Sequence, residues 1–265
     1  IQVVGTLRRD PALAWRDRHL GLVPVVEQRD EVRASLDRLA HLIEDCCDLD
    51  EIERIARAAP YVSTTELSMP TRVAGVRAAI AGGSAFRFLY QDNLDALTAA
   101  GAEITMFDPL TAYELPDGTD LLVAGGGFPE VYAAELAGNR PLLDDIASRV
   151  AGGLTIWAEC GGMLWLGDRL DGRPMAGVVP TEATMTTRLT LGYRAATTAA
   201  PSPIGPAGTT VRGHEFHYST CRPAGDGLAL TGHRTSVTAG FIGPRLFASY
   251  LHLHLANRPD VAERR

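Results

Sequence analysis

The chain has 265 residues, 25 basic and 32 acidic, for a formal charge of −7. That balance argues against a nucleic-acid binder, which would show a basic face, and no stretch approaches the roughly 18 apolar residues of a membrane span. With 46% apolar and 22% charged residues, a core of normal size forms without disulfide or metal staples. Cysteines occur at 46, 47, 160 and 221. They are too few and too irregularly spaced for a disulfide scaffold or a zinc site, so no metal site is expected and a cytoplasmic location is. The first residue is Ile1, with no charged segment followed by an apolar one as in a signal peptide. Ile1–Gly5 reads as the middle of a strand, which suggests that the chain begins inside a larger protein.

In chain order, a strand is expected over 1–5, a loop at Arg8–Pro11 and a second short strand at His19–Pro24. Residues 30–58 give a helical pattern through Val32, Leu36, Leu39, Leu42, Ile43 and Leu49, with a second helix starting near Asp48 and Asp50. Residues 61–72, flanked by Pro60 and rich in Ser and Thr, read as a linker. From 73 the pattern alternates. Strands are expected at 73–80, 103–107, 121–124 and 154–158, and helices at 90–100, 132–137, 141–151 and 162–170. Such alternation implies a mostly parallel sheet flanked by helices, an α/β fold. Beyond 175, runs at 188–193, 209–217, 229–233 and 247–254 alternate with turns, as antiparallel strands do.

The segment Leu154–Leu166 carries an apolar strand straight into Cys160, then Gly161 and Gly162, then a helical pattern. That is the form of a nucleophile elbow. Amides at the start of the helix would lower the thiol pKa and bind an oxyanion. The bland alternative is a buried cysteine at a strand–helix junction. Leu121–Glu130 is another strand that ends in glycines. Gly126 and Gly127 would lie at the same carboxyl edge of the sheet, where ligands bind, or would form only a tight turn. In Phe247–His254, period-2 alternation puts Tyr250, His252 and His254 on one face. His252 would serve as the base that a cysteine nucleophile needs; polar packing and a two-histidine metal site are the alternatives.

Ala158–Gly162, Gly126–Glu130, Gly213–Ser219 and Ser249–His254, with Ala85–Leu94 and Arg18–Pro24, resemble the cobyrinate/hydrogenobyrinate a,c-diamide synthase family. The resemblance covers essentially the whole chain. It implies a class I glutamine amidotransferase domain at 73–265, after a C-terminal remnant of an ATP-binding amidoligase domain at 1–60. It implies that Cys160 attacks the glutamine amide, that His252 is its base, and that amides near Gly126, Gly127 and Gly161 hold the oxyanion. Many class I glutaminases read His-x-Glu at the base. Here the third position is His254, so Glu215, His254 or a backbone carbonyl is left to orient His252. In the complete enzyme, ATP and Mg2+ would activate the a and c acetate side chains of cobyrinate or hydrogenobyrinate for amidation, in cobalamin biosynthesis. No G-x-x-x-x-G-K-[ST] loop is present, so this chain alone is expected to lack ATP-dependent activity. The glutaminase half needs no cofactor of its own. Expected partners are glutamine, the corrinoid and the missing ATP-binding domain; a homodimer is allowed. The alternatives are a cobyric acid synthase-type domain, a non-catalytic glutamine- or corrinoid-binding fragment, and a stand-alone cysteine hydrolase.

Overall fold

A computed structural model describes residues 1–13, 29–63, 75–233 and 235–255. The chain divides into two compact units, Ile1–Glu66 and Leu67–Arg265.

The first unit is built on two helices, α1 (Arg29–Cys46) and α2 (Leu49–Arg57). The Asp48 side chain accepts from Glu51 N at 2.9 Å and so caps α2, the usual role of an Asp before a first helical turn. The strand expected at 1–5 is reduced to a single bridge, Gly5 to Cys47. Ile1 and Val3 are fully exposed and find no pairing partner there. The strand expected at 19–24 lies outside the described residues. Of the apolar stripe on α1, only Val32 is buried, while Leu36 and Leu39 are exposed, as are Leu49, Ile52 and Ile55 on α2.

The second unit begins with β1 (Val76–Ala81), α3 (Gln91–Ala99), β2 (Ala102–Phe107), β3 (Leu121–Ala124), α4 (Ala133–Gly138), α5 (Arg140–Ala151), β4 (Thr155–Glu159) and α6 (Gly161–Leu166). There follow β5 (Gly167–Leu170), β6 (Arg173–Pro174), β7 (Val179–Thr198), β8 (Thr210–Arg222), β9 (Leu228–Thr231), β10 (Ser236–Ala239), β11 (Phe241–Gly243), β12 (Leu246–Ser249) and β13 (His252–Leu253). One sheet has the order β11-β12-β4-β3-β1-β2, and all its pairings are parallel except β11 with β12. Its inner strands β1, β3, β4 and β12 are largely buried on both faces, and alternation sorts their side chains. Leu122, Ala124, Ile156 and Ala158 enter one core with Phe86 and Trp165, whereas Val123 and Trp157 enter the other with Phe247. The second sheet, β10-β9-β7-β5-β6 with β8 and β13, is antiparallel apart from β5 with β7.

Two expected elements differ. The helix expected over 162–170 stops at Leu166, because Gly167 turns extended and pairs with Val179 of β7. Sheet pairing outweighs local pattern there. The strand expected over 247–254 is two strands. Ser249 Oγ accepts from Leu251 N at 3.1 Å, and such a local side-chain bond competes with the ladder. β12 lies parallel beside β4, and β13 runs antiparallel to β8.

Candidate active site

β4 ends at Glu159, and Cys160 follows with φ 47° and ψ −108°. A non-glycine residue at positive φ is strained. The strain is held by Cys160 N donating to Ser249 O at 2.7 Å and by Leu164 N donating to Cys160 O at 3.2 Å. The chain thus makes the sharp strand-to-helix turn that the residue pattern implies. Beside it, Gly162 N donates to Gly125 O at 2.9 Å. A Cβ on Gly161 would come within 3.0 Å of Gly127 N, and one on Gly127 within 2.0 Å of Ala85 O. Neither Gly127 N nor Gly161 N donates to a backbone carbonyl among the described residues. The two glycine turns therefore meet at the carboxyl edge of β3 and β4.

The histidine segment closes over this edge. A Cβ on Gly126 would lie 2.5 Å from His252 Cε1, so the imidazole rests on the glycine turn. His252 is buried, stacked on His214 with ring centroids 5.0 Å apart. Cys160 follows β4 and His252 opens β13, and no hydrogen bond joins them among the described residues. The sulfur lies 4.0 Å from Phe216 O and takes a backbone hydrogen bond from Gly161 N. A cleft of about 940 Å3 opens on His252, lined also by Tyr90, Tyr193, Arg194, His214 and His254. Cys160 does not line that cleft and is 7% exposed.

The orienting groups expected from the residues go elsewhere. Glu215 accepts from Arg194 Nε at 2.7 Å and makes no hydrogen bond or ion pair with His252 among the described residues. His254 Nε2 lies 3.1 Å from Asp92 Oδ2, its ring 5.1 Å from that of Tyr90. The break after Ser249 also removes the common face expected for Tyr250, His252 and His254. Tyr250 instead bonds Ser219 Oγ and Cys221 Sγ and stacks on His217. A residue that sequence reasoning passed over faces His252: the buried Glu159, whose Oε2 lies 3.7 Å from His252 Nδ1. Its only signal in the sequence is a carboxylate inside an otherwise apolar strand end.

Burial decides the charge states. It pushes the Cys160 thiol up to about 12, helped by the carboxylates of Glu130 and Glu159 and opposed by one hydrogen bond from Gly161. The lowered thiol pKa expected from the helix start is therefore overturned: one amide does not offset complete desolvation. The same burial pushes His252 and His217 down to about 4 and Glu159 up to about 7. The resting site is a neutral thiol beside neutral imidazoles.

These rings make the fold sensitive to acid. A histidine held down in the folded state stabilises fully above its unfolded pKa and loses that contribution as pH falls toward its folded value. His217 stacks on Tyr250, bonds Ser219 O through Nδ1 at 2.9 Å and has no partner for Nε2 among the described residues. His217→Phe keeps the stack and removes the titration. Between pH 6.5 and about 4, it is expected to shrink the acid-induced loss of unfolding free energy by roughly 3 kcal/mol, read from urea melts of both chains. Glu159 titrates identically in both chains and cancels in that difference.

A family model for the CobB/CobQ-like glutamine amidotransferase domain matches residues 77–260. A protein of Streptomyces coelicolor named hydrogenobyrinate a,c-diamide synthase is 38% identical, over 100% of this chain and 62% of that protein. A protein of Synechococcus named cobyrinate a,c-diamide synthase is 39% identical, over 98% of this chain and 59% of that protein. This chain thus spans about 60% of the length of these relatives. Among solved structures, PurLQS from Thermotoga maritima matches with TM-score 0.50 and 16% identity, over 71% of this chain and 94% of that one. That likeness shows the fold alone, a mostly parallel sheet flanked by helices. Among the described residues, no helix is long and apolar enough to cross a membrane. The match over residues 77–260, together with these relatives, shows that the chain belongs to the CobB/CobQ-like glutamine amidotransferase domain family.

Proposed function

We propose that this chain is the glutamine-hydrolysing part of an ATP-dependent amidoligase that converts the a and c acetate side chains of cobyrinate or hydrogenobyrinate to amides. The observation that carries the reading is the strained Cys160 turn packed against the glycine turn on which His252 rests. The names of the relatives favour the a,c-diamide reaction over the cobyric acid type.

In this reading Cys160 Sγ attacks the side-chain amide carbon of glutamine. His252 takes the thiol proton and returns it to the leaving nitrogen, so ammonia departs and a thioester remains. The amides of Gly127 and Gly161 donate to the oxyanion. Water then releases glutamate. The thiol is held neutral by burial, so proton transfer accompanies attack, and free thiolate is not the resting form.

Residues 1–60 are the C-terminal part of the ATP-binding half in this reading. Leu36 and Leu39 on α1 and Leu49, Ile52 and Ile55 on α2 are exposed, apolar residues that further chain would cover in this reading. The residues here do not fit ATP and Mg2+. The sequence has no phosphate-binding P-loop, and no cluster of metal-ligating side chains occurs among the described residues. No step on this chain is routed through them. The unpaired cysteines and the biosynthetic names of the relatives support a cytoplasmic site.

The purified chain incubated with glutamine is expected to release glutamate and ammonia in equal amounts. Bound glutamine without release would favour the second reading, a binding module, which the missing Cys160–His252 hydrogen bond also favours.

A further inference from the structure

An imidazole acts as a base only if one nitrogen is bare, and a partner on the other nitrogen decides which one. The family's alternative third position, His254, is committed to Asp92, and Glu215 to Arg194. We propose that Glu159 is the positioning residue of His252: its carboxylate keeps the proton on Nδ1 and leaves Nε2 bare to receive the Cys160 proton. The catalytic consequence rests on the glutaminase reading; the pairing itself does not.

The register of the sheet builds the pair. Ser249 of β12 lies opposite Glu159 of β4, and His252 follows three residues later. Both partners are buried. Glu159 Oε1 accepts from Trp157 Nε1 at 2.9 Å and from Leu253 N at 3.2 Å. Two donors fix that oxygen and turn the other, Oε2, to Nδ1 at 3.7 Å. Catalytic hydrogen bonds are often long in the free enzyme and shorten with substrate bound.

The proton balance closes. Cys160 gives its proton to Nε2 as the sulfur–carbon bond forms, and the imidazolium holds its Nδ1–H against Oε2. The proton then moves from Nε2 to the amide nitrogen as the carbon–nitrogen bond breaks. Glu159 neither gains nor loses a proton. Once protonated, it would donate to Nδ1 and move the ring proton to Nε2. Burial sets that change at about pH 7, so activity is expected to rise through that value. The other titratable groups around the pair among the described residues are Cys160 after β4, His214 and His217 from β8, Tyr90 before α3, and His254 on the same segment, itself on Asp92.

The test joins nitrogen-15 NMR of the histidines with glutamate-release kinetics, on the full 265-residue chain. At about pH 8, where the carboxylate is charged, wild-type His252 is expected to carry its proton on Nδ1. In Glu159→Gln the amide oxygen keeps the Trp157 and Leu253 bonds. Its NH2 then faces Nδ1 and drives the proton to Nε2. The kcat is expected to fall at least about 100-fold with KM within about 3-fold, as when a base is held in the wrong tautomer, and the activity rise near pH 7 should vanish. Wild-type His252 protonated on Nε2 overturns the proposal, whether or not the variant folds. So does a folded Glu159→Gln chain with reversed tautomer and wild-type kcat. If the wild type releases no glutamate, the glutaminase reading fails, while the wild-type tautomer still decides the pairing.

Discussion

Gly162→Ala is expected to cost at least about 3 kcal/mol of stability, or to prevent folding. A Cβ at this position would lie 2.0 Å from Ala124 O, 2.5 Å from its carbonyl carbon and 2.7 Å from its Cβ. The first two are backbone atoms of β3, a central strand paired with β1 on one side and β4 on the other. No rotamer change relieves such a contact, so a strand or the elbow must shift. A shift would also lengthen the Gly162 N to Gly125 O bond that ties the elbow to the glycine turn. Gly138→Ala is the matched control, because nothing lies within 4 Å of its Cβ position at the end of α4. That change should be neutral or slightly stabilising. Urea unfolding of the two variants checks both. Equal stability would show that the elbow is not packed as described.

Cys160→Ala is expected to lower glutamate release at least about 1,000-fold, since removing the nucleophile of a covalent mechanism removes the route itself. Cys221, the other described thiol of the same unit, is buried and bonded to Tyr250. The fold should hold. Alanine is smaller, and it gives up only the 4.0 Å contact with Phe216 O and the hydrogen bond from Gly161 N. Loss of activity with an unchanged melting curve therefore separates chemistry from unfolding. Activity that survives the substitution would remove Cys160 from the mechanism.

The parts of the site that were legible in the residues are those set by short-range pattern. An unbroken apolar run entering Cys160 and two glycines marks a strand, a tight turn and a helix, and the chain folds so. The same holds for Leu121–Ala124 running into Gly125–Gly127. What was not legible depends on partners far along the chain. The end of α6 at Leu166 is set by pairing with Val179. The split between β12 and β13 is set by one hydroxyl, that of Ser249. Glu159 was passed over because strand alternation alone does not bring it to His252; the Ser249–Glu159 register does. The direction of the thiol pKa is not legible either, because a sequence shows the amide that lowers it and not the burial that raises it.

The central claim is that Cys160 attacks glutamine. Its most direct test is an electrophilic glutamine analogue, a chloroketone or diazoketone carried on the glutamine skeleton, followed by peptide mapping by mass spectrometry. One adduct on the peptide that holds Cys160, blocked by excess glutamine and absent from Cys160→Ala, is the predicted result. An adduct on Cys46, Cys47 or Cys221 with Cys160 unmodified, or none at all on the folded chain, would contradict it.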